Sequence, residues 1–252
     1  MIATENVSKQ YGGKTILSDV TLQLPRGKII AFIGSNGTGK STLLSLITRT
    51  LSGSGGKVMV GGREIGRWNQ RELAKKLSIL RQTNNMNIRL TVRELVSFGR
   101  FPYTQGKLTA DDERHIDKAL DYLELKPLQN RYLDELSGGQ RQMAFIAMII
   151  AQDTEYLFLD EPLNNLDMRH CVRIMKVLRR LVAEAGKTVM VVIHDINFVA
   201  SHADYVIALK DGKIAGQGDT RTMIKPDRLK RIFDMDIRVA DIDGRPVCLY
   251  YS

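Results

Sequence analysis

Residues 34–42 read GSNGTGKST and directly follow the apolar run KIIAFI at residues 28–33. Gly34, four further residues, and then Gly39, Lys40 and Ser41 have the spacing of a phosphate-binding loop between a strand and a helix. Backbone N–H groups of such a loop point at phosphate oxygens, and side chains in place of the glycines would block that approach. The stretch predicts an α/β fold that binds a nucleotide, a pattern that kinases, GTPases and motor proteins share.

Two side chains of this loop have direct chemical roles in the prediction. The Lys40 ammonium reaches the β- and γ-phosphates, and the Ser41 hydroxyl binds Mg²⁺. The predicted nucleotide-binding residues of the loop are Gly34, Ser35, Asn36, Gly37, Thr38, Gly39, Lys40, Ser41 and Thr42.

Length, charge and cysteine content restrict the class of protein. A chain of 252 residues suits one large α/β domain or a core with a subdomain. The longest uncharged apolar run, residues 143–151, falls short of the roughly 20 residues of a membrane span, so no transmembrane helix is predicted. Neither Cys171 nor Cys248 lies in a CxxC pair, and the N-terminus lacks the pattern of a secretory signal, so we expect a cytosolic protein. The net charge of +9 is compatible with nucleic-acid binding, an anionic membrane surface or a merely solvated surface.

A second motif, YLFLDE at residues 156–161, places two carboxylates at the end of an apolar strand. Asp160 is suited to the Mg²⁺ shell of a P-loop NTPase. Glu161 is then placed to polarise an attacking water. The alternative is a buried strand with acidic residues at its exposed end, and the phosphate-binding loop favours the functional interpretation.

A third motif, LSGGQ at residues 136–140, opens a predicted helix. Ser137, Gly138 and Gly139 would present backbone donors at that helix start, although a serine-capped helix explains the same residues. A second phosphate-binding helix start is redundant if the first loop already holds the nucleotide. It makes sense if this surface serves a nucleotide that a second copy of the chain holds.

The remaining patterns alternate between strand and helix, which favours a mostly parallel sheet with helices on both sides. Residues 1–34 predict short antiparallel strands, residues 42–49 a helix, and residues 72–125 mostly helices, with Thr109 as an N-cap. The apolar runs YLFLD and TVMVVIHD predict strands covered on both faces. Asp211 and Gly212 predict a hairpin turn.

The motifs GSNGTGKST, LSGGQ and LFLDEP, in this order and with about a hundred residues between the first two, resemble the nucleotide-binding subunit of ATP-binding cassette (ABC) transporters over essentially the whole chain. The resemblance implies a RecA-like P-loop NTPase core with a mostly parallel sheet, an N-terminal antiparallel β subdomain and an inserted α-helical subdomain. The core would comprise about residues 1–85 and 155–252, and the helical subdomain about residues 86–154. ATP and Mg²⁺ are the implied ligands.

The resemblance also implies roles for residues outside the first loop. Tyr11 would stack on adenine, and Gln82 would sense Mg²⁺ and link to the membrane subunit. His194 would contact the γ-phosphate, and the loop NNLD at residues 164–167 would cross the interface between two cassettes. The implied catalytic residues are Lys40, Gln82, Glu161 and His194; the implied Mg²⁺ ligands are Ser41, Gln82 and Asp160; and the further nucleotide-binding residues are Tyr11, Ser137, Gly138, Gly139, Gln140, Asp160 and Asp167.

Some positions depart from the family pattern or match nothing in it. Met143 stands where family members usually have arginine, and Asn165 stands where the interface loop usually has a small or hydroxyl residue. His115, His170 and His202 match no functional position, so we expect them to be surface or structural residues.

Partners and cargo are likewise implied by the resemblance. A cassette would pair with a second copy or a homologous cassette on the cytoplasmic side of the cell membrane, contact integral-membrane permease subunits and serve a substrate-binding protein, without nucleic acid. Residues 95–112 resemble ATPases of iron(III)–siderophore importers, including catecholate systems such as petrobactin import, and residues 82–103 would receive the permease. Haem and cobalamin importers share the wider pattern. A soluble cassette for repair or translation is disfavoured because the chain holds one cassette and has no room for a coiled-coil insertion.

Overall fold

The computed structural model of the chain describes residues 1–82, 88–104 and 106–250. Within these residues the strands are β1 (Ile2–Tyr11), β2 (Lys14–Leu24), β3 (Ile29–Ile33), β4 (Gly55–Val60), β5 (Arg63–Glu64), β6 (Leu77–Leu80), β7 (Tyr156–Leu159), β8 (Thr188–Val192), β9 (Tyr205–Lys210), β10 (Lys213–Asp219), β11 (Arg238–Ile242) and β12 (Arg245–Leu249). The helices are α1 (Lys40–Ile47), α2 (Gln70–Ala74), α3 (Val92–Ser97), α4 (Phe101–Thr104), α5 (Ala110–Tyr122), α6 (Gly138–Ala151), α7 (Met168–Ala185), α8 (Ile196–His202), α9 (Thr220–Met223) and α10 (Pro226–Phe233).

The chain divides into two compact units, of which the first comprises residues 1–68 and 188–252. One sheet of this unit has the order β2-β1-β4-β5, with antiparallel pairs throughout. A second group of strands has the order β10-β9-β3-β8, in which β3 runs parallel to both β8 and β9. The strands β11 and β12 form a separate hairpin.

The central strand β3 is buried along its whole length, and so is β8. Both strands consist mainly of β-branched and aromatic residues, whose side chains pack well when both faces of a sheet are covered. Phe32 pairs with Val192, so the carboxyl ends of the two strands lie at the same edge. This register places the residues that follow β3 and β8 side by side.

The second unit comprises residues 69–187 and is mostly helical. Its strands β6 and β7 pair in parallel, with Leu80 opposite Leu159. Helices α3, α5 and α6 pack on one another through apolar faces that include Leu95, Ile116 and Ile146. Thr109 caps α5 in a capping box with Asp112, as predicted.

The predicted fold class is confirmed. Three local predictions can also be compared with the structure: two of them differ from it and one is confirmed. The strand β6 lies inside residues 72–125, which the sequence predicts as mostly helical, because the short run LSIL pairs with β7 and buries Leu77 and Leu80. The first helix begins at Lys40 rather than at residue 42, since Gly39 is its N-cap. The hairpin turn at Asp211 and Gly212 is confirmed, and both residues have the positive φ that such a turn requires.

Two sequence predictions concern boundaries. The subdomain limits near residues 85 and 155 stay predictions. Residues 83–87 of the predicted permease-binding surface lie outside the described residues. Among helices in the described ranges, none has the length and apolarity that crossing a membrane requires.

Candidate functional site

Each of the three glycines in residues 34–42 is needed for a different structural reason. Gly34 has a φ of +140°, and a Cβ there would lie 2.2 Å from the Leu209 carbonyl oxygen. Gly39 has a φ of +97°, and a Cβ there would lie 2.6 Å from Cδ2 of Leu17. Gly37 has a φ of +78° with nothing within 4 Å of its missing Cβ. Packing therefore requires Gly34 and Gly39, whereas Gly37 provides a left-handed backbone and an open outer surface.

Lys40 organises the loop from within. Its side chain is buried, and its Nζ donates to the carbonyl oxygens of Gly34 at 2.8 Å and Ser35 at 2.9 Å. The hydroxyl of Thr38 also donates to the Ser35 carbonyl, at 2.9 Å. Because α1 begins at Lys40, directly after the loop glycine Gly39, the first N–H groups of the helix have no acceptor within the helix. The positive helix end and the ammonium together suit an anion.

His194 lies at the same edge of the sheet as this loop. Gly34 and His194 each stand two residues beyond the paired residues Phe32 and Val192. Strand register within the first unit therefore places His194, the residue predicted to contact the γ-phosphate, next to the start of the phosphate-binding loop.

Tyr11 ends β1 at the hairpin with β2, and half of its surface is exposed. The Lys9 Nζ lies 4.7 Å from the centroid of its ring, within cation–π range. An exposed ring fixed by a strand and a neighbouring cation is suited to stacking on a base, and its predicted adenine contact stays a prediction.

The strand β7 carries Asp160 and Glu161 at its end. Tyr156–Leu159 are all buried, and Asp160 is only 9 % exposed. The backbone N–H of Asp160 donates to the Leu80 carbonyl at 2.9 Å, which continues the pairing of β6 with β7 past the end of the strand. Glu161 then adopts a φ of +51°, and the chain leaves the sheet at that point.

The carboxylate of Glu161 accepts two hydrogen bonds on the same oxygen, Oε2. The donors are Nε2 of Gln82 at 2.6 Å and Nδ2 of Asn164 at 2.5 Å. Both donors are neutral amides, so these two hydrogen bonds orient the carboxylate without adding charge. Sequence reasoning selected Gln82 and Glu161 separately but missed the role of Asn164, whose signal is its position in the turn three residues after Glu161.

The start of α6 has the predicted capped geometry. The Ser137 hydroxyl accepts from the N–H of Gln140 at 3.3 Å, and the Gln140 side chain accepts from the N–H of Ser137 at 3.1 Å. Gly138 is exposed, with nothing within 4 Å of its missing Cβ. Gly139 is buried, and a Cβ there would lie 2.5 Å from Cδ2 of His170. Only the first glycine therefore keeps the outer surface of the helix start bare.

Asp167 is the N-cap of α7, at the end of the predicted interface loop. Its Oδ1 accepts from the backbone N–H of His170 at 2.9 Å, and the Nδ1 of the same residue lies 2.9 Å from that oxygen. The backbone and then the side-chain hydrogen bond of His170 hold the pKa of Asp167 below its ordinary value. Sequence reasoning treated His170 as surface or structural, although its position at the third residue of a capped helix was a usable signal.

The residues predicted to bind Mg²⁺ have suitable chemistry. Ser41 offers a hydroxyl, Asp160 a largely buried carboxylate and Gln82 an amide, and oxygen ligands are those that Mg²⁺ prefers. Since the Gln82 amide nitrogen donates to Glu161, its oxygen is the atom that would bind Mg²⁺. Ser41 belongs to the first unit, and Gln82 and Asp160 belong to the second. The ligand type of each residue fits the ion.

The phosphate-binding loop, the capped LSGGQ helix start and the carboxylates at the end of β7 together define an ATP-binding cassette. The ABC transporter family profile matches residues 17–164, more than half of the chain, and the chain belongs to this family. The predicted family, fold class and ATPase activity are thereby confirmed, and so is nucleotide binding at the level of the family.

The similarity of the chain to individual known proteins supports its assignment to this family. The chain is 55 % identical over 252 residues to the petrobactin import ATP-binding protein YclP of Bacillus subtilis (strain 168), with all of both chains covered. It is similar to a solved metal-chelate type ABC transporter in an inward-facing conformation, with a TM-score of 0.84, 27 % identity and coverage of 99 % and 98 % of the two chains. It is also similar to the dimeric bacterial ABC transporter cassette MJ0796, with a TM-score of 0.78, 32 % identity and coverage of 88 % and 99 %.

Proposed function

We propose that the chain is the ATP-hydrolysing subunit of an ABC importer that energises uptake of an iron(III)–siderophore complex through a partner permease. The observation that carries this proposal is the 55 % identity to a petrobactin import ATP-binding protein along the entire length of both chains. The similarity to a metal-chelate type transporter supports the same class of cargo.

Two copies of the chain, or this chain and a homologous cassette, would pair head to tail about a two-fold axis. The phosphate-binding loop of one copy and the LSGGQ helix start of the other would then hold one ATP. The exposed Ser137 and Gly138 favour this arrangement because they offer hydrogen-bond donors at an open helix start. The dimeric structure of the similar cassette MJ0796 supports pairing. Binding would favour the closed pair, and loss of the γ-phosphate would release it.

Within each site the chain's own residues would position the reactants. Lys40 would move from the loop carbonyls of Gly34 and Ser35 to the phosphate oxygens, for which its ammonium has the greater electrostatic attraction. Glu161 would accept a proton from the attacking water, since Gln82 and Asn164 hold its carboxylate at the end of β7. His194 would donate to the γ-phosphate. Mg²⁺ held by Ser41, Gln82 and Asp160 would neutralise charge on the phosphates.

The permease would bind to the surface that the sequence places at residues 82–103. Three large apolar side chains are well exposed in the described part of this surface: Ile88 at 66 %, Phe98 at 44 % and Phe101 at 58 %. Beside Phe101, a groove of about 400 Å³ is lined by Asn69, Gln70, Arg71, Ala74, Phe101 and Pro102. Arg71 fixes one wall of the groove by donating to the carbonyl oxygens of Pro102 and Tyr103 at 2.7 and 2.6 Å.

The subunit would therefore lie peripherally on the cytoplasmic face of the cell membrane, held there by the permease. A substrate-binding protein would act on it indirectly from the opposite side. The net charge of +9 would add attraction to anionic lipid beside the permease.

The experiment is to reconstitute the chain with its candidate permease in proteoliposomes and to measure ATP hydrolysis. We expect stimulation by a binding protein loaded with a ferric siderophore, and none by the same protein with iron-free siderophore. Stimulation by haem- or cobalamin-loaded binding proteins instead would assign a different cargo. Full ATPase activity of the chain without any permease, together with failure to bind one, would contradict the transporter role.

A further inference from the structure

His170 lies against the LSGGQ helix start. A Cβ at Gly139 would meet three atoms of the His170 ring, Cδ2 at 2.5 Å, Nε2 at 2.6 Å and Cγ at 2.7 Å. Three ring atoms at nearly equal distance mean that the flat face of the imidazole covers the position that a Cβ of residue 139 would occupy. This close approach requires glycine, because any larger residue would displace the ring.

The same imidazole is hydrogen-bonded to the interface loop. Its Nδ1 lies 2.9 Å from Oδ1 of Asp167, the last residue of NNLD. The ring nitrogen donates in this bond because the ionised carboxylate is an acceptor only. The backbone N–H of His170 donates to the same oxygen, so the loop end and the ring are held as one unit.

We propose that His170 is a positioning residue that couples the LSGGQ helix start to the interface loop NNLD. The proposal rests on the proposed function, in which both segments face a nucleotide bound by the other copy. A displacement of Asp167 would move the ring, and the ring would move the α6 start through its contact with Gly139. Both segments would therefore respond together when two cassettes close on ATP.

The two contacts make separate demands on the side chain at position 170. The flat ring fills the space over Gly139, and the Nδ1 donor fixes Asp167. Asparagine places an amide donor near the position of Nδ1 but lacks the ring. Phenylalanine supplies the ring but lacks the donor. These replacements separate packing from hydrogen bonding.

The test compares His170→Ala, His170→Asn and His170→Phe, with His115→Ala as a matched control. His115 is a histidine of the same unit with nearly the same side-chain exposure, 28 % against 26 %, and it also has an aspartate neighbour, Asp111 at 3.6 Å. Each variant is made alone for ATPase kinetics and in a Glu161→Gln background for ATP-driven dimerisation by size-exclusion chromatography. Binding of a fluorescent ATP analogue to the monomer reports on the phosphate-binding loop of the same copy.

We expect His170→Ala to weaken ATP-driven dimerisation and to raise KM for ATP by about fivefold or more, the lower end of typical coupling between sites. Binding of the analogue to the monomer should be unchanged. His170→Asn and His170→Phe should each recover part of the loss, and His115→Ala should behave as the parent protein. A double variant, Gly139→Ala with His170→Ala, should dimerise better than Gly139→Ala alone, because the colliding ring is gone.

The coupling role is overturned if His170→Ala matches His115→Ala in KM and dimerisation. It is equally overturned if the losses of His170→Ala are matched by weaker analogue binding to the monomer, because that pattern indicates general unfolding. Failure of the parent protein itself to dimerise with ATP would instead contradict the pairing of two copies of this chain in the proposed function, so the two failures are distinguishable.

Discussion

The side-chain amide of Gln82 donates a 2.6 Å hydrogen bond to the carboxylate of Glu161. Leu80 pairs with Leu159, so each partner stands two residues beyond a paired position of adjacent parallel strands. The same two-residue step places Gly34 and His194 beyond Phe32 and Val192. The polar groups of the site thus lie at the carboxyl ends of strands, where ligands bind in open α/β sheets.

The first prediction concerns Glu161 as the general base. Glu161→Gln removes the proton acceptor while keeping the shape of the side chain. We expect kcat for ATP hydrolysis to fall about 10²- to 10⁴-fold, the usual contribution of a general base. Nucleotide binding should persist, and closed dimers should accumulate with ATP. Phosphate release and size-exclusion chromatography measure the two effects.

Glu155→Gln, at the opposite end of β7, is the matched control and should hydrolyse ATP at the parent rate. Near-normal turnover in Glu161→Gln would remove Glu161 from the catalytic role. A loss of nucleotide binding in that variant would mean that the carboxylate supports the fold of the site instead.

The second prediction concerns the hydrogen bond from Gln82. Gln82→Ala removes this donor while the hydrogen bond from Asn164 to Oε2 of Glu161 stays, so kcat should fall about tenfold, as for loss of one hydrogen bond to a charged group. Gln82→Glu should lower kcat further, because a second carboxylate beside Glu161 favours a shared proton and raises its pKa. The activity of Gln82→Glu should therefore recover as the pH rises. A pH profile of kcat identical in both variants would contradict the pairing.

Much of the fold and the site could be predicted from sequence because the decisive patterns are local. The phosphate-binding loop, the LSGGQ cap and the carboxylates after an apolar strand each occupy fewer than ten consecutive residues, and each is found where expected. Glycine spacing and capping residues act through the backbone of their own segment, so the local structure they predict does not depend on distant parts of the chain.

The features that sequence reasoning missed depend on contacts between distant segments. The strand β6 forms because β7 pairs with it across more than seventy intervening residues, although the surrounding pattern is helical. From sequence Gly139 is predicted only to present a backbone donor at the helix start, and the His170 ring explains why this residue must be small. The Asn164 bond to Glu161 lies in a turn in which Glu161 has a positive φ, and residue type alone does not indicate that backbone conformation.

The third prediction separates folding from binding at the loop glycines. Gly34→Ala should destabilise the fold strongly, because its Cβ would collide with the Leu209 carbonyl, a backbone atom that cannot move freely. Gly37→Ala has open space and only the left-handed strain of about 1 to 2 kcal/mol. Thermal unfolding should rank the parent above Gly37→Ala and Gly37→Ala above Gly34→Ala. Both variants should bind a fluorescent ATP analogue more weakly, and equal melting temperatures would contradict the packing argument.

The fourth prediction concerns a buried ion pair in the helical unit. Arg100 Nε lies 2.9 Å from Oδ1 of Asp112, and the two side chains are only 3 % and 4 % exposed. Burial raises the pKa of Asp112, but hydrogen bonds from Thr109 and Arg100 outweigh it, so the net pKa lies below its ordinary value. Arg100→Ala should cost about 3 to 5 kcal/mol, because it leaves a buried carboxylate without its cation. The expected fall in melting temperature is about 6 to 20 °C.

Arg114→Ala is the control for this pair, since Arg114 and Asp111 form an ion pair with side chains 77 % and 61 % exposed. Exposed pairs contribute at most about 1 kcal/mol, so its melting temperature should change by only a few degrees. Equal shifts in Arg100→Ala and Arg114→Ala would show that burial does not decide the contribution of the pair.

The fifth prediction is a loss of stability in alkali that Cys248 produces. Burial, and to a smaller extent the nearby negative charge of Asp195, raises the pKa of the Cys248 thiol to about 11 from an ordinary value of 9.0. As the pH rises through this interval, the unfolded chain releases the thiol proton while the folded chain retains it. Unfolding then releases a proton, so the free energy of unfolding falls from pH 9 toward pH 11.

Cys248→Ala removes this titration and isolates it from the other groups that titrate in alkali. The free energy of unfolding, measured by urea denaturation, should fall more steeply between pH 9 and pH 11 in the parent than in Cys248→Ala, with parallel curves below pH 8. The thiol should also resist iodoacetamide at pH 9 in the folded protein and react once urea unfolds it, because the thiolate is the nucleophile. Parallel stability curves over the whole range would show that the folded and unfolded thiols share one pKa.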